Sequence, residues 1–259
     1  MDGPPGQPSA WRPRDVLGLA RSIAIYHLKP GQRRRLLAMY RRFVRPGDLC
    51  FDIGAHVGNR TRSFRALGAR VVAVEPQPRL AALLARAFRG DPLVTVLPAA
   101  LGAVDGTLEL AVSRLTPTVS TTSTRFLEAV ADADSFRGVR WDERLVVPAL
   151  RLDSLIDRHG QPSFVKIDVE GMEDAVLGGL SRPVTALSFE LLPAFKDPAI
   201  AAVRRLSELG RYRFNLSLGE TMRFLWPEWI DASALTTWIE SAPTAAPSGD
   251  IYAELVDRA

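Results

Sequence analysis

The residues of this sequence that could do chemistry are acids set beside glycines and acids at the ends of apolar runs. The stretch CFDIGAHVGNRTRSF, residues 50–64, begins as a buried strand would and continues as a ligand-holding turn. A glycine turn between strand and helix leaves backbone N–H groups free for a negative or polar ligand group. A nucleotide pyrophosphate takes that place when the spacing is G-x-G-x-x-G. Here the spacing is D-x-G-x-x-x-G, with Asp52 ahead of Gly54 and Gly58. Asp52 would repel a pyrophosphate but suits a ligand with a free amino group. S-adenosyl-L-methionine carries a sulfonium, an ammonium and no phosphate, so the acid favours that methyl donor over a dinucleotide. Glu75 closes the next apolar run, VVAVEP, where an acid can accept hydrogen bonds from both ribose hydroxyls. Dinucleotide sites use an acid in the same way, so Asp52, Gly54 and Glu75 discriminate only together.

A second group lies in SFVKIDVEG. A strand running through this stretch would put Lys166, Asp168 and Glu170 on one face. Three charges on a buried strand are costly unless paired, which argues for a polar site rather than core. Methyl transfer to an alcohol needs a group to take the hydroxyl proton. Asp168 is the first candidate for that base and Glu170 the second. His56 is a third, because an imidazole titrates near neutrality. Lys166 reads as a partner that keeps the acids ionised. Glu190 ends the run VTALSFEL, and with Asp168 it could hold Mg2+ through carboxylate oxygens. The metal is the less favoured reading, since no Asp-Asn pair follows the fifth strand. No G-x-S-x-G elbow is present for a serine hydrolase. The single cysteine, Cys50, excludes an intramolecular disulfide and a multi-thiolate zinc site.

These residues need a scaffold. From residue 44 onward, strand-like runs alternate with helical ones: LCFDIG, NRTRSFRALG, RVVAVEP, PRLAALLARAF, LVTVLPAAL. The rhythm resumes with RLVVPALRLDSLIDRHG, SFVKIDVE, MEDAVLGGL, VTALSFEL, DPAIAAVRRLSELG, YRFNLSL and GDIYAELVD. Such βα units predict a doubly wound, mostly parallel sheet with helices on both faces. GTLELAVS reads as a half-exposed strand, and RLTPTVSTTSTRF as a polar loop, either a lid or a solvated connection. Together they suggest a strand-loop insertion near residues 103–148. Residues 1–14 are expected to be a disordered tail, 15–43 a helical extension, and 44–259 the main domain. The extension carries the arginine-rich segment KPGQRRRLLAMYRRFVRPGD, which accounts for much of a net charge of +4. No run suits a membrane span or a signal peptide, so a cytoplasmic protein is expected.

FDIGAHVGNRT, VVAVEPQP, AALG, LDSLI, FVKIDVEGMEDAVLGGL and LSFE follow one another in this order. Over about residues 44–192 the sequence resembles the FkbM family of S-adenosylmethionine-dependent methyltransferases. The resemblance implies a class I, Rossmann-like fold of seven strands with the last antiparallel. It implies O-methylation of a small-molecule hydroxyl, often on a sugar or secondary metabolite. By the same resemblance Asp52 and Gly54 line the methionine end of the cofactor and Glu75 the ribose. The cofactor set is completed by Ala55, His56, Gly58, Asn59 and Pro76. His56 stands where many methyltransferases carry another glycine. Two alternatives remain open at this point: methylation of a nucleic acid, favoured by the basic helix, and a non-catalytic binding protein on the same fold.

Overall fold

The computed structural model describes residues 13–27, 31–131 and 136–258. Residues 1–12 of the expected tail lie outside the described residues, while Pro13 and Arg14 open a helix. The chain enters through α1 (Pro13–His27) and α2 (Gln32–Tyr40) and then builds the sheet. β1 (Leu49–Ile53), α3 (Asn59–Ala66), β2 (Arg70–Val74), α4 (Pro78–Ala87) and β3 (Val94–Leu97) form its first half. β4 (Ala100–Leu101), β5 (Gly106–Val112), α5 (Thr124–Ala129) and β6 (Glu143–Leu150) follow outside it. α6 (Leu152–His159), β7 (Phe164–Ile167), α7 (Glu173–Gly178) and β8 (Ala186–Leu191) return to it. α8 (Asp197–Leu209), β9 (Gly210–Leu218), α9 (Ala232–Ser241) and β10 (Gly249–Arg258) complete it.

The main sheet has seven strands in the order β3-β2-β1-β7-β8-β10-β9, and β10 runs antiparallel to both its neighbours. The order reverses between β1 and β7, which opens a crevice beyond their carboxyl ends. Its two faces differ in chemistry. Phe51, Val165, Leu187, Ala253 and Phe214 lie side by side across five strands, and Ile53, Ile167, Phe189, Ile251 and Leu216 form the next such row. Both rows belong to one apolar core, covered by α6, α7, α8 and α9. The intervening row points the other way, since side chains alternate along a strand. It reads Asp52, Lys166, Ser188, Tyr252 and Asn215, all buried.

Lower on that second face the packing is apolar. Cys50 and Phe164 sit there against Leu36, Met39 and Tyr40 of α2 and Phe64 of α3. Ring centroids of Phe164 lie 5.1 Å from Phe43 and 5.8 Å from Phe64. Trp229 joins this group through Phe43 and Phe224, and Trp226 packs on Trp238 of α9, so both tryptophans serve packing.

Three local expectations change. LVTVLPAAL is not one strand. Pro98 cannot donate to a ladder, and the run divides into β3 in the main sheet and β4 in a second sheet ordered β4-β6-β5. The polar stretch RLTPTVSTTSTRF is not all loop. It holds a 3-10 turn, Pro117–Val119, and its end opens α5, where the Ser123 hydroxyl accepts from the Phe126 N–H at 3.0 Å. Helix α9, unread in the sequence, starts at Asp231, whose carboxylate accepts from the Ala234 N–H at 2.8 Å. Among the described residues no helix is long and apolar enough to cross a membrane.

Phe164 is fully buried at the centre of the aromatic group. Phe164→Ala is expected to destabilise the protein by about 3–5 kcal/mol through lost burial and a residual cavity. A lower urea midpoint with an unchanged slope would show it.

Candidate functional site

The turn after β1 is shaped by what cannot fit there. Gly54 has φ +79°, and a Cβ on it would meet the Asp168 carbonyl oxygen at 1.8 Å. Only glycine lets the first loop pass the end of β7. The Gly54 and Ala55 N–H groups both donate to the Val74 carbonyl, at 2.9 and 3.0 Å, which pins the loop to β2. Gly58, with φ +77°, is the N-cap of α3, and a Cβ there would meet Leu84 at 2.7 Å. His56 between them also has a positive φ, 48°. The turn thus keeps the left-handed path that a glycine would take, with an imidazole added at a strained position.

Asp52 is 1% exposed and does not line the cleft. Its carboxylate accepts from the Thr61 hydroxyl, so it ties β1 to α3 beneath the turn. Burial pushes its pKa up, against the Thr61 bond and the charges of Arg60 and Lys166. Ala55, Gly58 and Asn59 are likewise absent from the cleft wall, whereas Gly54, His56, Glu75 and Pro76 form part of it.

Glu75 is 2% exposed. One of its oxygens accepts from the His56 N–H at 2.8 Å and the other from the Gln77 N–H at 2.9 Å. Burial raises its pKa to about 7, although both backbone bonds work against the rise.

The cleft encloses about 530 Å3 including its mouth, within the usual span of about 300–1,000 Å3 for small-molecule sites. Ala99, Ala100, Leu101 and Leu110 give it an apolar end beyond Glu75, and Thr118, Ser120, Thr121 and Thr122 roof it. The roof is fastened to the floor. Gln77 Nε2 donates to the Pro117 carbonyl at 3.0 Å, and the Thr121 hydroxyl to the Glu170 carbonyl at 2.7 Å. Sequence reasoning left this Ser/Thr stretch undecided and did not place Ala99–Leu101 at the site. The AALG run gave a hint, being short, small and apolar directly after a strand.

The opposite end of the cleft is acidic. β7 stops at Ile167, so Lys166, Asp168 and Glu170 do not share a strand face as expected. Asp168 follows the strand, its N–H donating to the Ile53 carbonyl at 2.9 Å, and Glu170 sits in a turn with φ +52°. The turn still brings the acids together: Asp168, Glu170 and Glu190 each offer an oxygen within 4.8 Å of the others. Glu170 and Glu190 are pushed well up, first by burial and then by neighbouring carboxylates. Glu190 Oε2 is sealed without a hydrogen-bond partner. Oxygen-only donors of this kind suit Mg2+.

Lys166 anchors this end. Its ammonium is fully buried and donates to the Ile167 carbonyl and the Asp250 carboxylate, each at 3.0 Å, with Asp168 at 3.4 Å. Burial works against its charge, but Asp168 and Asp250 outweigh burial and hold its proton more tightly than usual. Sequence reasoning missed Asp250. The antiparallel course of β10 brings its first residues to the carboxyl ends of the parallel strands.

Sheet order, antiparallel last strand and glycine turn together define the class I methyltransferase fold. The chain belongs to the FkbM family: the model of the methyltransferase FkbM domain matches residues 52–215. The methyl donor is S-adenosylmethionine, and the protein is a methyltransferase dependent on it. No curated protein matches the sequence. Among solved structures the chain is similar to an O-methyltransferase from Bacillus cereus in complex with SAH, at 15% identity and TM-score 0.45, covering 95% of this chain and 92% of that one. It is also similar to precorrin-6y C5,15-methyltransferase from Geobacter metallireducens, at 15% identity and TM-score 0.43, covering 86% and 87%. A rRNA-methylase described as putative, from Clostridium thermocellum, gives 10% identity and TM-score 0.44, covering 86% and 94%.

Two predictions follow from the geometry of the turn and its acids. Gly54→Ala places a methyl group against backbone that cannot yield cheaply, and is expected to cost at least about 2 kcal/mol of stability in chemical denaturation. Glu75 titrates near its ordinary value of 4.5 when unfolded and at about 7 when folded. Between those values the folded protein holds a proton that the unfolded chain has lost. The stabilisation is therefore complete below about 4.5 and disappears as pH rises through about 7. Glu173, also raised to about 7 chiefly by burial, acts in the same sense. Without ligand, the Tm should fall from about pH 5 to about pH 8, and Glu75→Gln should flatten part of that slope. A Tm that climbs across the range would contradict the assignment.

Proposed function

We propose that this protein moves the methyl group of S-adenosylmethionine to a hydroxyl oxygen of a small molecule, a sugar or secondary metabolite, in the cytoplasm. The observation that carries the reading is Asp168. Its carboxylate is 37% exposed at the acidic end of the cleft, and Lys166 fixes it from below at 3.4 Å. A carboxylate held in place and facing the crevice is what an alcohol acceptor requires.

The cofactor supplies a methyl carbon already activated by a sulfonium, so the protein's main task is alignment. Glu75 holds the ribose. Each of its oxygens spends one lone pair on a backbone N–H and keeps another for a hydroxyl. Pro76 and the Ala99–Leu101 wall take the adenine. Gly54, with the backbone of Ala55, His56, Gly58 and Asn59, leaves room for the methionine end, and Asp52 keeps that turn seated on α3. Asp168 orients the acceptor hydroxyl and takes its proton as the new C–O bond forms and the C–S bond breaks. Lys166 stabilises the carboxylate before transfer. Glu170, where a bound cation reverses its drive toward the protonated form, and His56, on the cleft wall, are reserve candidates for the proton.

The three-carboxylate cluster supports one variant of this reading, in which Asp168, Glu170 and Glu190 hold Mg2+ and the ion orients the acceptor oxygen. Activity that survives dialysis against EDTA favours the metal-free base; activity lost and restored by Mg2+ favours the ion.

Asp168→Asn is expected to lower kcat at saturating S-adenosylmethionine by about 10²–10⁴-fold. Glu75→Ala should do the reverse, weakening cofactor binding with the acceptor kinetics little changed at saturation. An Asp168→Asn enzyme that turns over normally with hydroxyl acceptors would remove the base from this scheme.

A further inference from the structure

Arg60 is a buried cation with too few partners. It is the second residue of α3, two beyond Gly58, and is 7% exposed. Its ion pair among the described residues runs from Nη2 to Glu220 at 3.4 Å. Nε and Nη1 are sealed from solvent and donate to nothing. The pair with Glu220 is long beside the ~2.7–2.9 Å of a good charge-assisted bond, so a better acceptor could compete for the guanidinium. Glu220 itself is held by Gln32 Nε2 at 3.1 Å, which links the start of α2, the start of α3 and the turn after β9.

The surroundings show where this cation acts. The next residue, Thr61, bonds Asp52, which lies beside Lys166 in the polar row, and Lys166 in turn holds Asp250 and Asp168. Against burial, Tyr40 and Glu220 and then Asp250 and Asp168 strengthen the Arg60 charge. Asp168 follows β7 and Asp250 begins β10, whereas Glu75 follows β2, on the other side of β1 in the sheet. A methyl donor whose ribose lies at Glu75 must cross Gly54 and send its amino-acid end toward β7. That end carries an ammonium and a carboxylate. The acids at Asp168, Glu170 and Glu190 suit the ammonium and would repel the carboxylate. Lys166 cannot serve the carboxylate, because Asp168, Asp250 and the Ile167 carbonyl already occupy it. Among the described residues Arg60, two beyond Gly58 at the start of α3, is a buried cation with donors to spare.

We infer that Arg60 binds the α-carboxylate of S-adenosylmethionine, with Glu220 holding the guanidinium in position until the cofactor arrives. The inference rests on the cofactor and is independent of the acceptor and of which group takes its proton.

The test uses the full chain and two ligands in calorimetric titrations: S-adenosylhomocysteine, and its decarboxylated analogue, which keeps the adenosine, sulfur and amine. Arg60→Gln should weaken S-adenosylhomocysteine by about ten- to a hundredfold, the worth of a charged hydrogen bond, and the analogue by less than about threefold. Arg60→Lys should give a smaller loss confined to S-adenosylhomocysteine, and it carries the test if circular dichroism shows Arg60→Gln to be unfolded. Glu220→Gln, which leaves the guanidinium in place, should preserve the preference for the carboxylate-bearing ligand. Equal losses for the two ligands would make Arg60 a brace for the loop, and no loss for either would leave it outside the cofactor site. Both results overturn the inference. Failure of the unaltered protein to bind S-adenosylhomocysteine would be a failure of the cofactor assignment itself.

Discussion

A lysine ammonium buried in the middle of a sheet sets the terms for everything around it. Lys166 is fully buried, and an isolated charge there would be prohibitive. It is tolerable because Asp168, Asp250 and a backbone carbonyl surround it, and breaking such a pair from one side is far costlier than never having built it. Two consequences follow for the fold. The end of β7 and the start of β10 are tied together across β8, although 84 residues separate their partners in sequence. The tie also requires β10 to run antiparallel, since only a reversed strand brings its first residues to the carboxyl ends of the others. The antiparallel last strand is thus the element that lets a second carboxylate reach the buried ammonium.

The same ammonium explains why the two faces of the sheet differ. One face buries continuous aliphatic and aromatic rows under α6 to α9. The other begins apolar at Cys50 and Phe164 and turns polar one row higher, at Asp52, Lys166, Ser188, Tyr252 and Asn215. The stability of the sheet comes from the first face and the lower part of the second. The upper part is a region of charge held in low dielectric, where interactions are stronger and mispairing is costlier. Glu170 and Glu190 show the consequence: burial and neighbouring carboxylates outweigh the Lys166 ammonium and drive both toward the neutral form. A sulfonium, an ammonium or a divalent ion would reverse that drive, so ligand charge and carboxylate protonation are linked at this end of the cleft.

What could be read in the sequence follows from how local each signal is. The βα rhythm and the glycine turn are encoded within a few residues, and both emerged from periodicity and spacing. Two local signals were present but passed over. Asp231 and Ser123 are N-cap residues before α9 and α5, masked by the Thr and Ser around them. Pro98 marked the break between β3 and β4. Other features had no local signature. Arg60 stands in a helix full of arginines, and what buries it is Glu220, 160 residues on. Asp52 invites a ligand on paper, yet Thr61, on the same face of the next helix, takes its carboxylate. The clustering of Asp168, Glu170 and Glu190 was anticipated in part for a reason that does not hold. The strand ends before Asp168, and a left-handed turn at Glu170, rather than strand alternation, gathers the acids.

The family match covers residues 52–215, and the walls of the polar end lie partly outside it. Gln32 and Tyr40 come from before the matched segment; Glu220, Asp250 and Tyr252 come from after it. The matched part carries the glycine turn, Glu75 and Asp168, and the flanking segments close the polar region around Lys166 and Arg60. A protein that must keep one cofactor and change its acceptor has reason to divide the site in this way. Helices α1 and α2 and the turn after β9 stand outside the matched segment, while the Ser/Thr roof at residues 118–122 lies inside it. The buried tyrosines on that side, Tyr40 and Tyr252, have hydroxyls with at most each other for a partner among the described residues. Polar atoms sealed without partners are uncommon in folded chains and mark places that water or a ligand group completes. Tyr252 lies one row below Glu190 and Asp250 on the same face of the sheet.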